Sequence, residues 1–159
     1  MTETRTLVLE RTLAASAANV WRCWTEPDLI KQWFAPEPVK TTEVEIDLRP
    51  GGIFRTVMEV PEHGTMAGDP GCILLVESGR RLVWTSALGP GFHPNAFGDD
   101  PMSFPFTAEI VITPEGEGCR YVARAMHATE ADSQSHETMG FSEGWGAAAD
   151  QLGALAARL

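Results

Sequence analysis

The segment 39–60 constrains the fold more strongly than any other part of this 159-residue chain. Apolar and acidic residues alternate over 43–48, which is the two-residue period of a strand with one face toward solvent. The sequence RPGG follows at 49–52. Its proline fixes the first turn position, and Gly51 supplies the positive φ of the second. Residues 54–60 then continue as a second strand, so the segment predicts an antiparallel hairpin.

The same signals recur along the chain and predict a sheet built from hairpins. A first strand precedes two short helices, and two further hairpins turn at GR and at PEGEG. The strands are expected at 5–13, 39–48, 54–60, 72–78, 81–88, 104–113 and 119–127. We interpret 61–71 and 89–103 as loops. The second is long and rich in glycine and proline, which is typical of a functional loop.

Helices are predicted in two places. Residues 16–34 contain two short helices, the first capped by Ser16 and the second with Pro27 in its first turn. Thr129 and Asp132 resemble a capping box, so we expect one long helix from there to the C-terminus. Helices segregated from hairpin-linked strands indicate an α+β fold, in which the last helix packs across an antiparallel sheet.

The predicted C-terminal helix contains four glycines, Gly140, Gly144, Gly146 and Gly153. Each glycine costs a helix about 1 kcal/mol relative to alanine. On a helical wheel they flank an apolar stripe over 141–159, so we interpret them as positions where strands approach the helix closely. The alternative is that they are neutral changes in a helix that tertiary packing stabilises.

Wide aromatic side chains are numerous for this length, and as a set they predict an apolar cavity between sheet and helix. The residues expected to line it are Trp24, Trp33, Phe54, Trp84, Phe106, Phe141 and Trp145. Phe92 and Phe97 in the long loop are predicted to gate it, and His127 is expected at its mouth. Trp145 is expected to be almost fully buried, with its indole N–H paired. For each residue alone, ordinary core packing is the alternative.

Charge and composition exclude several classes of function. The net charge of −10 argues against binding to nucleic acid or to an anionic membrane surface, because both need a basic patch. No apolar run approaches the roughly 20 residues of a membrane span. The three cysteines lie far apart without a CxxC spacing, which predicts reduced thiols in a cytoplasmic protein. The length favours a single domain over residues 1–159.

Catalytic and cofactor motifs are missing from the sequence. There is no nucleophile elbow, phosphate loop, HExxH or cysteine metal motif, so no catalytic residue, metal or cofactor is predicted. His63 and His93 fall in predicted loops, and the helical wheel places His136 among acidic residues on a solvated face. Arg55 and Arg124, in the middle of strands, are also expected to face solvent.

Four segments, taken in order, resemble the activator of heat-shock protein 90 ATPase homologue-like family. They are VWRCWTEPDLIKQWFAPE, EIDLRPGGIFR, RLVWTSALGPGF and MGFSEGWGAAADQLGALA, and the resemblance runs from about residue 5 to 158. This family belongs to the START-like, polyketide cyclase superfamily (SRPBCC). The resemblance implies the helix-grip fold, in which a curved antiparallel sheet of about six to seven strands grips a long C-terminal helix.

The resemblance also implies a function. The wider superfamily binds apolar small molecules in the cavity, so we expect this chain to bind an apolar or aromatic small molecule without a cofactor. Some branches carry out cyclase or hydrolase chemistry, which here would use His127 with a carboxylate in the cavity. The eukaryotic namesakes stimulate a chaperone ATPase, so a chaperone-associated interaction module is a further alternative. A monomer and a homodimer are both compatible with the sequence.

Overall fold

The computed structural model describes residues 4–100 and 103–159. Ten strands, four α-helices and one 3₁₀ turn make up this part of the chain. In chain order the elements are β1 (Thr6–Leu13), α1 (Ala17–Thr25), α2 (Pro27–Ile30), β2 (Lys40–Ile46), β3 (Ile53–Val60), β4 (Gly64–Ala67), β5 (Gly71–Glu77), β6 (Arg81–Thr85), β7 (Leu88–Gly89), the 3₁₀ turn (Pro90–Phe92), β8 (His93–Pro94), β9 (Phe106–Glu115), β10 (Gly118–His127), α3 (Glu130–Thr138) and α4 (Phe141–Ala156).

The main sheet is antiparallel and strongly curled. Its strand order is β1-β10-β9-β6-β5-β3-β2, and β4 pairs with the other part of β3. The two longest strands, β9 and β10, pair over their whole length, from Gly118 opposite Glu115 to His127 opposite Phe106. The two short helices follow β1, and α4 packs against the concave face of the sheet. The predicted α+β, helix-grip architecture is therefore confirmed.

The hairpin of segment 39–60 forms as the sequence predicts. β2 pairs with β3, and Gly51 between them has a φ of 85°, a conformation that L side chains rarely adopt. The Gly51 amide donates to the Ile73 carbonyl at 2.7 Å, which fixes this turn against β5. Ser16 caps α1 by accepting from the Asn19 amide, and Pro27 begins α2, so both helix starts are also confirmed.

Two predicted loops contain short strands. Residues 64–67 form β4, which extends the β3 ladder, and residues 88–89 pair with 93–94 to form a two-residue ladder. No signal in the sequence indicated either ladder, because segments of two to four residues are too short to show a strand period. Conversely, β2 ends at Ile46, two residues before the predicted limit, and Leu48 is exposed.

The prediction of one long C-terminal helix is wrong, because the helix is divided at Gly140. Thr129 caps α3 as expected, its hydroxyl accepting from the Asp132 amide at 3.1 Å. However, α3 ends at Thr138, and Gly140 adopts a left-handed φ of 99° before α4 begins at Phe141. An L residue is strained at this φ, so glycine is what allows the chain to turn here. Because of this division, the side chains of α3 do not continue the helical phase of α4.

Two of the other three glycines mark close contacts with β1. A Cβ at Gly146 would lie 2.6 Å from Arg11 Nη2, and a Cβ at Gly153 would lie 3.0 Å from Leu13 Cδ2. Leu13 is itself buried, so the second contact has little freedom to relax. In contrast, a Cβ at Gly144 would meet nothing within 4 Å. Close approach therefore explains Gly146 and Gly153 but does not explain Gly144.

This difference predicts opposite effects for two matched substitutions in α4. Gly144→Ala should stabilise the protein by up to about 1 kcal/mol, because it adds helix propensity without a clash. Gly153→Ala should gain less or lose stability, because Leu13 must move within a packed core. Urea denaturation of both variants measures the difference. Equal gains would mean that the glycine at 153 is a neutral change.

Candidate functional site

The concave face of the sheet, α1, the segment 33–39 that follows α2 and the N-terminal half of α4 border a cavity of about 530 Å³. That volume lies within the range of small-molecule binding sites. Most of its lining is apolar, and alternate residues of β3 (Phe54, Thr56, Met58 and Val60) contribute one wall. This follows from the two-residue period of a strand, which directs alternate side chains to the same face.

All seven aromatic residues predicted to line a cavity do line this one. They are Trp24, Trp33, Phe54, Trp84, Phe106, Phe141 and Trp145. Five of these are buried, as core residues would be, whereas Phe106 and Trp145 are only partly buried. The prediction that Trp145 is almost fully buried is therefore wrong. One side of its indole borders the cavity instead of packed side chains.

The aromatic rings form a continuous wall from α1 to α4. Trp24 meets Trp33 edge-on with centroids 4.9 Å apart, and Phe34 joins both to Phe54. Phe54 stacks on Trp84 at 4.6 Å. From Trp84 the wall continues through Phe106, Trp145 and Phe141. Such pairs stabilise by about 0.5–1.5 kcal/mol each beyond their buried area, so contacts between the rings favour this preformed wall.

Hydrogen bonds fix the orientation of two tryptophans in this wall. The Trp24 Nε1–H donates to the Tyr121 hydroxyl at 3.1 Å, and the Trp33 Nε1–H donates to the Cys23 carbonyl at 2.8 Å. Tyr121 is buried and lines the cavity, and its burial raises the pKa of the phenol above the usual value. Its hydroxyl therefore stays protonated near neutral pH. In the part of the chain that the structure describes, this proton has no acceptor.

A buried pair of histidines lies beside the cavity, between β10 and α3. His127 Nε2 and His136 Nδ1 are 2.8 Å apart, and His127 Nδ1 is 2.8 Å from the Arg5 carbonyl oxygen. His136 lines the cavity, whereas His127 lies behind it, so the expectation that His127 faces the cavity mouth is not met. The prediction that His136 is solvated is wrong. That prediction assumed one continuous helix, and the division at Gly140 changes the phase.

The hydrogen bonds determine which nitrogens carry protons in the neutral pair. A backbone carbonyl only accepts, so His127 Nδ1–H must be the donor to Arg5. His127 Nε2 is then the acceptor for His136 Nδ1–H, and His136 Nε2 carries no hydrogen. Burial, and secondarily the neighbouring His127, lowers the pKa of His136 from 6.5 to about 4. The neutral form therefore predominates at neutral pH.

Phe92 and Phe97 lie away from the cavity wall. Phe92 is 50% exposed and lies beside the β2–β3 turn, where the Gly91 amide donates to the Gly51 carbonyl at 2.8 Å. Phe97 is exposed as well. This backbone hydrogen bond attaches the start of the long loop to the hairpin turn, and the exposed positions of Phe92 and Phe97 do not support the predicted gating role. The end of the loop differs, because the Phe104 ring contacts both His127 and His136.

Sequence reasoning missed several lining residues. The most informative are Phe34, Met58, Tyr121, His136 and Met139. Strand period alone could have identified two of them, since Met58 shares a face with Phe54 and Tyr121 shares one with His127. No comparable signal marked His136 and Met139, because their positions depend on where the last helix divides.

The charged residues of the sheet lie mostly on its convex face. Glu109 accepts from Arg81 at 2.6 Å through one oxygen and from Arg124 at 3.1 Å through the other. Arg55 pairs with Glu43 at 3.8 Å. Arg55 and Arg124 keep about a third of their side-chain surface exposed, which agrees with the predicted solvated positions.

Three other features bear on chemistry. The described residues contain no group of three or more His, Cys, Asp and Glu side chains able to hold a metal ion. All three cysteines are free and buried, and burial raises the pKa of Cys23 to about 11, so its thiol is a poor nucleophile at neutral pH. Within the same described ranges, no helix is both long and apolar enough to cross a membrane.

Comparison with known proteins identifies relatives of this chain. The model of the family described as "Activator of Hsp90 ATPase homolog 1-like protein" matches residues 14–157. The crystal structure of a Nitrosomonas europaea protein is similar at 42% identity, covering 98% of this chain and 96% of that one, with a TM-score of 0.89. A Mycobacterium smegmatis protein is similar at 27% identity over 96% of this chain and 90% of its own, with a TM-score of 0.77.

Solved structures of lower sequence identity are similar to this chain in fold alone. A Rhodobacter sphaeroides protein at 20% identity covers 100% of this chain and 97% of its own, with a TM-score of 0.82. No curated protein matches this chain.

Removing the Tyr121 hydroxyl should destabilise the protein, because the Trp24 indole N–H would lose its hydrogen-bond acceptor. In Tyr121→Phe the buried Trp24 N–H loses its acceptor, which costs about 1–3 kcal/mol of unfolding free energy. In the double variant Trp24→Phe with Tyr121→Phe, the loss should be smaller than the sum of the two single losses. Urea denaturation measures the cycle, and strict additivity would contradict the interaction.

The His136 environment predicts a pH dependence of stability. The folded-state pKa, about 4, lies below the usual value of 6.5, so the stabilisation is complete above pH 6.5 and is lost as the pH falls toward 4. At about 1.4 kcal/mol per pKa unit, the loss has an upper limit of about 3.5 kcal/mol. His136→Phe should flatten this part of the stability profile, whereas His93→Gln in the exposed loop should leave it unchanged. Parallel profiles for wild type and His136→Phe would contradict the assignment.

Proposed function

The chain belongs to the family of Activator of Hsp90 ATPase homolog 1-like proteins, of START-like type, and from that premise we propose that it binds an apolar or aromatic small molecule. The proposed site is the cavity between the sheet and α4. The family commonly binds hydrophobic ligands. Within this chain, the observation that carries the proposal is the continuous aromatic wall around about 530 Å³.

The size and lining of the cavity favour a bicyclic or similar aromatic ligand. Burial of roughly 300 Å² of apolar ligand surface contributes about 7 kcal/mol at about 25 cal/mol per Å². The loss of translational and rotational freedom offsets part of this gain. A dissociation constant between about micromolar and millimolar is therefore expected for a simple aromatic probe. The preformed wall reduces the entropy lost on binding, since its rings already pack on one another.

The cyclase or hydrolase alternative receives less support from the geometry. It requires His127 to act on a bound substrate together with a carboxylate. Both ring nitrogens of His127 already have partners, the Arg5 carbonyl and His136. The carboxylate among the lining residues, Asp69, is exposed. General acid–base catalysis needs a group within hydrogen-bond reach of the substrate, so binding is the simpler proposal.

A chaperone-associated interaction module is the remaining alternative function, and it rests on the family description. Both a monomer and a homodimer are compatible with the proposed binding function. The three free, buried cysteines favour a reducing compartment, so we place the proposed binding activity in the cytoplasm.

A side chain that projects into the cavity should block binding without unfolding the protein. Gly144 lines the cavity, and a Cβ there meets nothing within 4 Å. Gly144→Leu should therefore weaken binding of the neutral dye N-phenyl-1-naphthylamine by about tenfold or more, which corresponds to about 1.4 kcal/mol. Fluorescence titration measures this change.

The matched control is Ala154→Leu, an exposed position on the same helix. It should leave dye affinity unchanged, and both variants should keep the wild-type near-UV circular dichroism. The proposal fails if the wild type does not bind the dye. It also fails if Gly144→Leu and Ala154→Leu bind equally well.

A further inference from the structure

His136 is a polar group set among aromatic rings of the cavity wall. Its ring centroid lies 5.1–5.2 Å from those of Phe104, Phe106 and Phe141, and 5.8 Å from that of Trp145. Only 9% of the residue is exposed. Among the described rings that contact it, the titratable one is His127. An apolar wall therefore presents one defined hydrogen-bonding group at this point.

A hydrogen bond at Nδ1 fixes the orientation of the His136 ring. The Arg5 carbonyl accepts from the backbone amide of His127 and also from its Nδ1–H, both at 2.8 Å. This double contact anchors the His127 ring, whose Nε2 then accepts from His136 Nδ1–H. A hydrogen-bonded histidine holds one tautomer and one ring orientation. His136 Nε2 is consequently a preorganised acceptor with its lone pair directed away from His127.

The acceptor nitrogen has no partner within the described ranges and is reachable. The described side-chain atoms that are both fully buried and unpaired are Thr41 Oγ1 and Trp84 Nε1. His136 Nε2 is not among them, so it retains accessible surface, and His136 lines the cavity. A ligand atom would approach Nε2 through this accessible surface.

These features define the chemical class of the ligand. A neutral imidazole nitrogen accepts a hydrogen bond from a hydroxyl or an N–H, but a carboxylate has no proton to donate to it. The lowered pKa of His136 and the net charge of −10 both disfavour an anionic ligand. A ligand without a donor would cover the nitrogen and leave it unpaired, which is unfavourable for a desolvated polar group.

Building on the proposed binding function, we infer that this cavity selects neutral aromatic molecules that carry a hydroxyl group, and that His136 Nε2 accepts the hydrogen bond from that hydroxyl. His127 acts as a positioning residue, because it fixes the tautomer of His136 without contacting the ligand. The apolar wall supplies affinity, and the histidine supplies discrimination between ligands of equal size.

The test compares three probes of similar shape: 2-naphthol, 2-methylnaphthalene and 2-naphthoate. Each competes with N-phenyl-1-naphthylamine for the wild-type protein near neutral pH, where 2-naphthol is neutral and 2-naphthoate is charged. We expect 2-naphthol to bind about tenfold more tightly than 2-methylnaphthalene, a difference of about 1.4 kcal/mol. Burial of apolar surface alone would favour the methyl compound, so this order is a specific signature. We expect 2-naphthoate to bind most weakly.

Variants then assign the preference to the histidine pair. His136→Phe should abolish or reverse the preference for 2-naphthol while keeping the affinity for 2-methylnaphthalene. His136→Gln supplies an amide oxygen as an acceptor and should retain part of the preference. His127→Phe should reduce it, because the His136 tautomer is then no longer fixed. His63→Phe, at an exposed position, is the matched control and should behave as wild type.

The outcomes separate this inference from the proposed function. Absence of dye binding by the wild type would overturn both. Dye binding with equal affinity for 2-naphthol and 2-methylnaphthalene would overturn the inference alone, and this comparison needs no variant. Tighter binding of 2-naphthoate than of 2-naphthol would also overturn it, because the pair would then act as a cationic donor. An unchanged preference in folded His136→Phe would assign the selectivity elsewhere.

Discussion

The unequal packing of α4 on the sheet determines the rest of the architecture. Along one flank the helix meets β1 through small residues, with Gly146 against Arg11 and Gly153 against Leu13. Toward its N-terminal end it carries Phe141 and Trp145, whose rings face the cavity. Small residues allow close approach, whereas wide rings hold the surfaces apart. Close contact along the glycine flank, together with wide rings near the start of the helix, therefore leaves a space between the sheet and the N-terminal half of α4.

The break at Gly140 has a second consequence for the site. Because α3 and α4 are separate, α3 can pack beside β10 and bring His136 to the cavity wall while α4 keeps its apolar face on the sheet. A continuous helix would have placed His136 among Asp132, Glu143 and Asp150, in solvent. One residue with a left-handed backbone thus converts a surface histidine into the buried partner of His127. Gly140 also lines the cavity itself, next to Met139 and Phe141.

The buried polar groups are arranged so that burial favours their neutral forms. Tyr121 is kept protonated by burial and accepts from Trp24. Burial lowers the pKa of His136, so this ring is neutral near pH 7, and it hydrogen-bonds to His127, which in turn contacts the Arg5 carbonyl. Neutral groups avoid the large desolvation cost of buried charge. The ion pairs of the sheet lie instead on its convex face, as Glu109 shows with Arg81 and Arg124. The sheet thereby separates these ion pairs from the cavity.

The sequence by itself determined the elements that depend on local chemistry. Alternation and turn residues specified the three hairpins, Ser16, Pro27 and Thr129 specified helix starts, and the aromatic composition indicated a cavity wall. The matches of Trp24, Phe54 and Trp84 to that wall follow from helix and strand periods that are local properties of the chain.

Tertiary structure decided what depends on the relation between elements. The division at Gly140, the burial of His136 and its bond to His127 follow from how α3 and α4 pack. A helical wheel could not predict them, because it assumes one continuous helix with a constant phase. The position of Phe92 depends on a hydrogen bond from the neighbouring Gly91 to a turn about 40 residues earlier in the chain. A hydrophobic pattern specifies which side chains are buried, whereas only the packed fold specifies which of them border a cavity and which polar atom faces it.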